Sequence, residues 1–163
     1  MGAGKGGGAV CPVGAVGALT HVQTVEEPFV TTRATGTFDV KVVPQESDAY
    51  SADGMLGRMT IDKVLHGDLE GTSKGQMLTA MTSIATSAGY VAVERVTGAL
   101  HGAVGTFALM HTGTMNRGAP GLVISVVPDS GTGALTGLTG SFTIIRADGQ
   151  HSYEFDYDIA AEA

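Results

Sequence analysis

The sequence predicts an all-β fold, a single antiparallel barrel of about eight strands closed on itself. Four observations lead there. From residue 35 onward, short β-branched and aromatic segments alternate apolar with polar residues, the period-two signature of half-buried strands. Glycine-containing breaks separate these segments at short spacing, as in all-β sandwiches and barrels. The densest break, Ser130–Phe142, carries Gly131, Gly133, Gly137 and Gly140 and reads as a corner where a strongly curved sheet turns on itself. Finally, no window sustains a 3.6-residue apolar period, so little helix is expected.

In chain order, residues 1–30 are Gly/Ala/Val-rich without periodicity and read as a flexible arm, leaving 31–163 as the barrel domain. The first strand is Thr35–Val43, where Phe38, Val40 and Val42 alternate with Thr37, Asp39 and Lys41. A polar loop, Pro44–Gly57, follows. In Met59–His66 the apolar set is Met59, Ile61 and Leu65 with Lys63 among them, which points to a barrel rim or a reversed face. Gly67–Gly71 makes a short corner. Gln76–Thr82, Tyr90–Thr97, Ala103–His111, Leu122–Val127, Ser141–Arg146 and His151–Ile159 complete the set. Asp148-Gly149 is the clearest two-residue hairpin turn.

Composition narrows the function. With 163 residues the chain suits one domain with a real core. A net charge of -7 with nine scattered Lys and Arg argues against nucleic acid, whose phosphates need a basic surface. The single cysteine, Cys11, excludes an internal disulfide and has no basic cluster around it to make it reactive. No apolar run reaches the ~20 residues of a membrane span. The Ala9–Leu19 run, broken by Pro12, Gly14 and Gly17, makes a poor signal core. The expectation is a cytoplasmic protein with neither nucleic acid nor membrane as partner.

Several segments, in order, resemble the domain of unknown function 3224 family, grouped with the allene oxide cyclase-like barrels. They are Ala34-Thr-Gly-Thr-Phe38, His66-Gly-Asp-Leu-Glu-Gly71, Tyr90-Val-Ala-Val-Glu-Arg-Val-Thr-Gly98, Gly105-Thr-Phe-Ala-Leu-Met-His111, Ser130-Gly-Thr-Gly133 and His151-Ser-Tyr153 with Asp156-Tyr157. The resemblance covers about residues 33–160 and implies an eight-stranded, calycin-like barrel with a cavity. Relatives at that distance include plant cyclases, dirigent-type proteins and bacterial pathway enzymes, so any activity it implies is analogy.

The residues themselves argue against metal and nucleophile chemistry. His21, His66, His101, His111 and His151 form no His-x-His or His-Glu-x-x-His pattern, so neither a metal nor another cofactor is expected. A serine-hydrolase elbow needs Gly-x-Ser-x-Gly, and neither that pattern nor nucleophilic catalysis is expected. Alternation offers a better lead. Tyr90, Ala92, Glu94 and Val96 share one face, Phe107, Leu109 and His111 another, and a short turn joins their strands, so Glu94 and His111 can meet across the ladder. The last strand turns His151, Tyr153, Phe155, Tyr157 and Ile159 inward. A carboxylate in an apolar barrel has its pKa raised unless it is paired.

The primary expectation is therefore a cofactor-free cyclase or isomerase acting on a small apolar metabolite. Glu94 would be the acid/base group, His111 its partner and Tyr153 a hydrogen-bond donor, while Tyr90, Phe107, Leu109, His66 and Tyr157 would contact the ligand. The alternative is a lipocalin-like binding barrel without chemistry. An outward apolar set such as Val91 and Val93 is consistent with a homo-oligomer.

Overall fold

A computed structural model describes residues 31–160; the expected arm, with Cys11 and His21, and residues 161–163 lie outside the described residues. Eight strands follow in chain order: β1 (Thr32–Pro44), β2 (Leu56–Gly67), β3 (Leu69–Met81), β4 (Ala88–Leu100), β5 (Ala103–Asn116), β6 (Ala119–Val126), β7 (Leu138–Ala147) and β8 (Gln150–Ile159). Each pairs antiparallel with the next, and β1 pairs with β8, which closes the barrel. Three hairpins turn through His101-Gly102, Arg117-Gly118 and Asp148-Gly149, with positive φ at both residues. That geometry matches the right-handed twist of the strands they join.

The observed strands extend the expected ones, β3 most of all. It begins at Leu69 rather than Gln76, and the expected corner over Gly67–Gly71 shrinks to Asp68. The inward positions of early β3 are Gly71, Ser73 and Gly75, too small or polar to signal a strand. Their smallness follows from the interior, where small and large residues interdigitate on facing strands. A Cβ on Gly36 would meet the Tyr153 hydroxyl, and one on Gly113 would run into the Tyr90 ring.

The two ends of the barrel differ. At one end Leu69, Leu100, Leu135 and Leu138 are fully buried, beneath a stack in which Phe107 lies 5.8 Å from Phe155 and Phe142 lies 5.0 Å from Tyr153. This end is sealed by Ser130–Phe142. Rather than bending a strand, its first part leaves the sheet as a loop with a 3-10 turn at Gly133–Leu135, and Leu138–Phe142 opens β7. It ties back to β5 through Thr132 N–H to the Thr106 carbonyl and Ala108 N–H to the Ser130 hydroxyl. A direct β6–β7 ladder is almost absent among the described residues, reduced to the pair Ser125–Ser141.

The other end is open. Val42, Met115 and Leu122 belong to the inward-facing sets of their strands, yet they are 43%, 40% and 42% exposed. Beside this mouth β1 runs past the start of β8, leaving a notch of about 410 Å³ lined by Phe38, Val40, Gly149 and His151. On the outer wall Val91 and Val93 are exposed, as their alternation requires.

Candidate functional site

Between the packed end and the mouth lies a buried polar layer. Strand alternation turns Lys63 of β2, Ser73 of β3, Glu94 of β4 and His111 of β5 inward, and all four are buried. The register sets them in successive rows, with Ser73 beside Lys63 and His111 beside Ala92, one inward position above Glu94. The Lys63 Nζ donates to Glu94 Oε1 at 2.6 Å, and the Ser73 hydroxyl donates to Oε2 at 2.6 Å. His111 Nε2 lies 2.8 Å from Oε1. Lys63 also sits over the Phe38 ring, 5.1 Å from its centroid.

Opposing forces set the charge of Glu94. Burial alone would raise its pKa, but His111, the Lys63 ammonium and the Ser73 hydroxyl together bring it down to about 2. The group is therefore an ionised carboxylate with both oxygens engaged. The exception allowed for a paired carboxylate applies: His111, Lys63 and Ser73 all engage Glu94. Lys63 marks neither a rim nor a reversed face; it is one half of a buried ion pair.

His111 completes the layer, close to Glu94 but off the ideal hydrogen-bond line. Its Nε2 is occluded, and although it is close to Oε1, it is not aligned with any acceptor among the described residues. An ionised carboxylate oxygen cannot sit 2.8 Å from a lone pair, so the contact assigns the ring hydrogen to Nε2.

The remaining expected site residues fall elsewhere. Tyr153 is buried at the packed end, where its hydroxyl accepts from Leu69 N–H at 2.9 Å with the His66 and Leu69 carbonyls at 3.2 and 3.3 Å. It is not joined to the Glu94–His111 pair. Tyr157 bonds His101 Nδ1 at 2.7 Å, also at the packed end. His66 is on the outer wall near Asp39 and Glu70, at 3.7 and 3.6 Å, so it does not line the interior. Phe107 and Leu109 are core, Leu109 directly across from Glu94. Tyr90 faces inward in the open half, where burial raises its hydroxyl pKa.

Lys63 and Ser73 are the two site residues that sequence reasoning missed. The run Gly71-Thr72-Ser73-Lys74-Gly75 spells Gly-x-Ser-x-Gly, contrary to the expectation that no such pattern occurs. It is nonetheless extended mid-strand chain, not a sharp strand-to-helix turn, and Ser73 meets a carboxylate where a nucleophile needs a base such as histidine. No group of three or more His, Cys, Asp or Glu residues arranged to hold a metal occurs among the described residues. No helix there is long and apolar enough to cross a membrane.

Residues 34–157 match the model of a family described as "Protein of unknown function (DUF3224)". A crystal structure of a protein with unknown function from the DUF3224 family of Shewanella oneidensis MR-1 is similar, with a TM-score of 0.76 and 47% identity, covering 81% of this chain and 99% of that one. No curated protein matches the chain.

Proposed function

The chain belongs to the DUF3224 family, and from that premise we propose that it is a small-molecule-binding barrel whose open half takes up one small, mostly apolar molecule above the polar layer. The observation that carries this reading is the accessibility of inward-facing side chains: Val42, Met115 and Leu122 point toward the axis and still meet solvent. Met59, Met77 and Ala92 form the row beside His111, with Tyr90 and Leu122 one row nearer the mouth. Methionine is unbranched and adaptable, so Met59 and Met77 are the parts that yield when a ligand enters. Barrels of about eight strands hold one small ligand in this way.

A second reading uses the same layer for acid/base catalysis in a cofactor-free cyclase or isomerase. It is favoured by the 2.8 Å approach of His111 to Glu94. Against it, a carboxyl with a pKa of about 2 is no acid at neutral pH and only a weak base. Binding is the better supported of the two.

The test is fluorescence titration with N-phenyl-1-naphthylamine, which brightens in apolar surroundings. Saturable one-to-one uptake, lost when Ala92→Phe fills the row beside His111, supports the binding barrel. Absence of uptake by the unmodified protein overturns it.

A further inference from the structure

We infer that the outer wall of β3–β6 is an interface on which a second copy of this chain packs, face to face, about a two-fold axis running along the strands. The inference is independent of the binding reading above and rests on the opposite side of the same strands. Ladder partners run in one row from Leu78 through Val91 and Thr112 to Val123, and in the next from Gln76 through Val93 and Met110 to Ser125. Neither row contains a charged side chain. Leu78, Val91, Val93, Met110 and Val123 are all between 45% and 68% exposed. A contiguous apolar set left this open to water marks a docking surface.

Charge selects the occupant. At a net charge of -7 two copies repel one another, so they can meet only where neither presents acid. Glu154, Asp156 and Asp158 stand on the outward side of β8 and Asp39 on that of β1, across the barrel from β4 and β5. Packing through the bare wall keeps these carboxylates far apart. A strongly charged partner would find nothing in the two rows to pair with.

The rows are also self-complementary. A two-fold axis along the strands, between β4 and β5, sets β4 of one copy against β5 of the other. Val93 then faces the second copy's Met110 and Val91 its Thr112, while Leu78 and Val123 flank the contact on the convex wall. Arg95, in the row toward the packed end, meets the neutral Ala108, its own ladder partner's counterpart, rather than another cation. Laid flat, the two rows cover about 250 Å². Side-chain relief and the hollow beside Leu78, about 390 Å³ and lined in part by Tyr50 and Leu56, extend this to the low end of interface areas, about 600 Å² a side, where association is weak and reversible.

Sedimentation equilibrium of the full chain over a range of concentrations tests this, alongside Val93→Glu, Met110→Lys and, as an exposed valine outside the wall, Val64→Lys. The expected result is a reversible dimer that Val64→Lys leaves intact. Val93→Glu and Met110→Lys should each weaken it at least about tenfold, because each buries a charge without a partner. Mixing the two single variants should restore the dimer, since the acid introduced on one copy then faces the base introduced on the other. A chain that stays monomeric, or a dimer that neither charge weakens, overturns the interface. Loss in both variants without recovery on mixing, or an assembly larger than a dimer, overturns the two-fold arrangement. Circular dichroism establishes that each variant is folded; should Val93→Glu unfold, Met110→Lys against Val64→Lys decides whether this wall is the interface.

Discussion

Gly75 stands directly across the β3–β4 ladder from Glu94, and a Cβ placed on Gly75 would lie 2.6 Å from the Glu94 Cγ and 2.7 Å from the Val93 carbonyl oxygen. The glycine is what lets the carboxylate lie flat against the wall and reach Lys63 and Ser73 together. Gly75→Ala is accordingly expected to destabilise the barrel by about 1–3 kcal/mol through overpacking. Urea denaturation measures the loss, and an unchanged midpoint would contradict the close approach.

The Lys63–Glu94 pair yields a sharper contrast. Lys63→Met leaves a buried carboxylate without its counter-charge, with an expected loss of about 3–5 kcal/mol. Replacing both, as Lys63→Met with Glu94→Leu, exchanges an ion pair for apolar contact and is expected to recover most of that loss. Denaturant unfolding of the two single variants and the double variant reads the coupling directly.

Acid sensitivity carries a definite sign. The folded Glu94 carboxyl lies at about 2, below its ordinary 4.5, so its contribution is fully present above the unfolded value and is lost as pH falls through the folded one. Across that window the loss amounts to about 3 kcal/mol. Glu94→Gln abolishes this part of the pH dependence, so stability followed from pH 5 to pH 2.5 is expected to fall less steeply in the variant. Parallel curves would place the acid sensitivity elsewhere.

Tyr153 separates the two ends. Tyr153→Phe keeps the ring stacked on Phe142 but removes the oxygen that accepts from Leu69 N–H. The expected cost is about 1–2 kcal/mol in unfolding free energy, with dye uptake at the mouth unchanged. A variant that folds well yet loses dye binding would show that the packed end and the open end are coupled.

Much of this architecture was legible in the sequence because sheet periodicity is local. Phe38, Val40 and Val42 declare their own face, as do Tyr153, Phe155 and Tyr157, and Asp148-Gly149 declares its own turn. Glu94 and His111 could be brought together because one short hairpin fixes their register. Lys63 could not, since its meaning depends on a carboxylate two strands away and a lone lysine in an apolar face carries no local mark of its partner. The early part of β3 was hidden for a related reason. Gly71 and Gly75 leave room for the close approach of β4, and Ser73 bonds Glu94, requirements written on β4 rather than on β3. Tyr153 was misjudged because alternation tells which side a hydroxyl faces but not how far along the axis it stands.

The uneven construction of the barrel has a consequence for how its relatives can diverge. The plug of leucines and stacked rings at one end belongs to folding, whereas the loops over residues 45–55 and 82–87 hang from the other end and contribute little to that core. Insertions or wholesale replacement of those rim loops can therefore retune what is admitted without endangering the scaffold. Tolerance to change should be graded from rim to base, one pole of the molecule free to experiment while the other stays fixed.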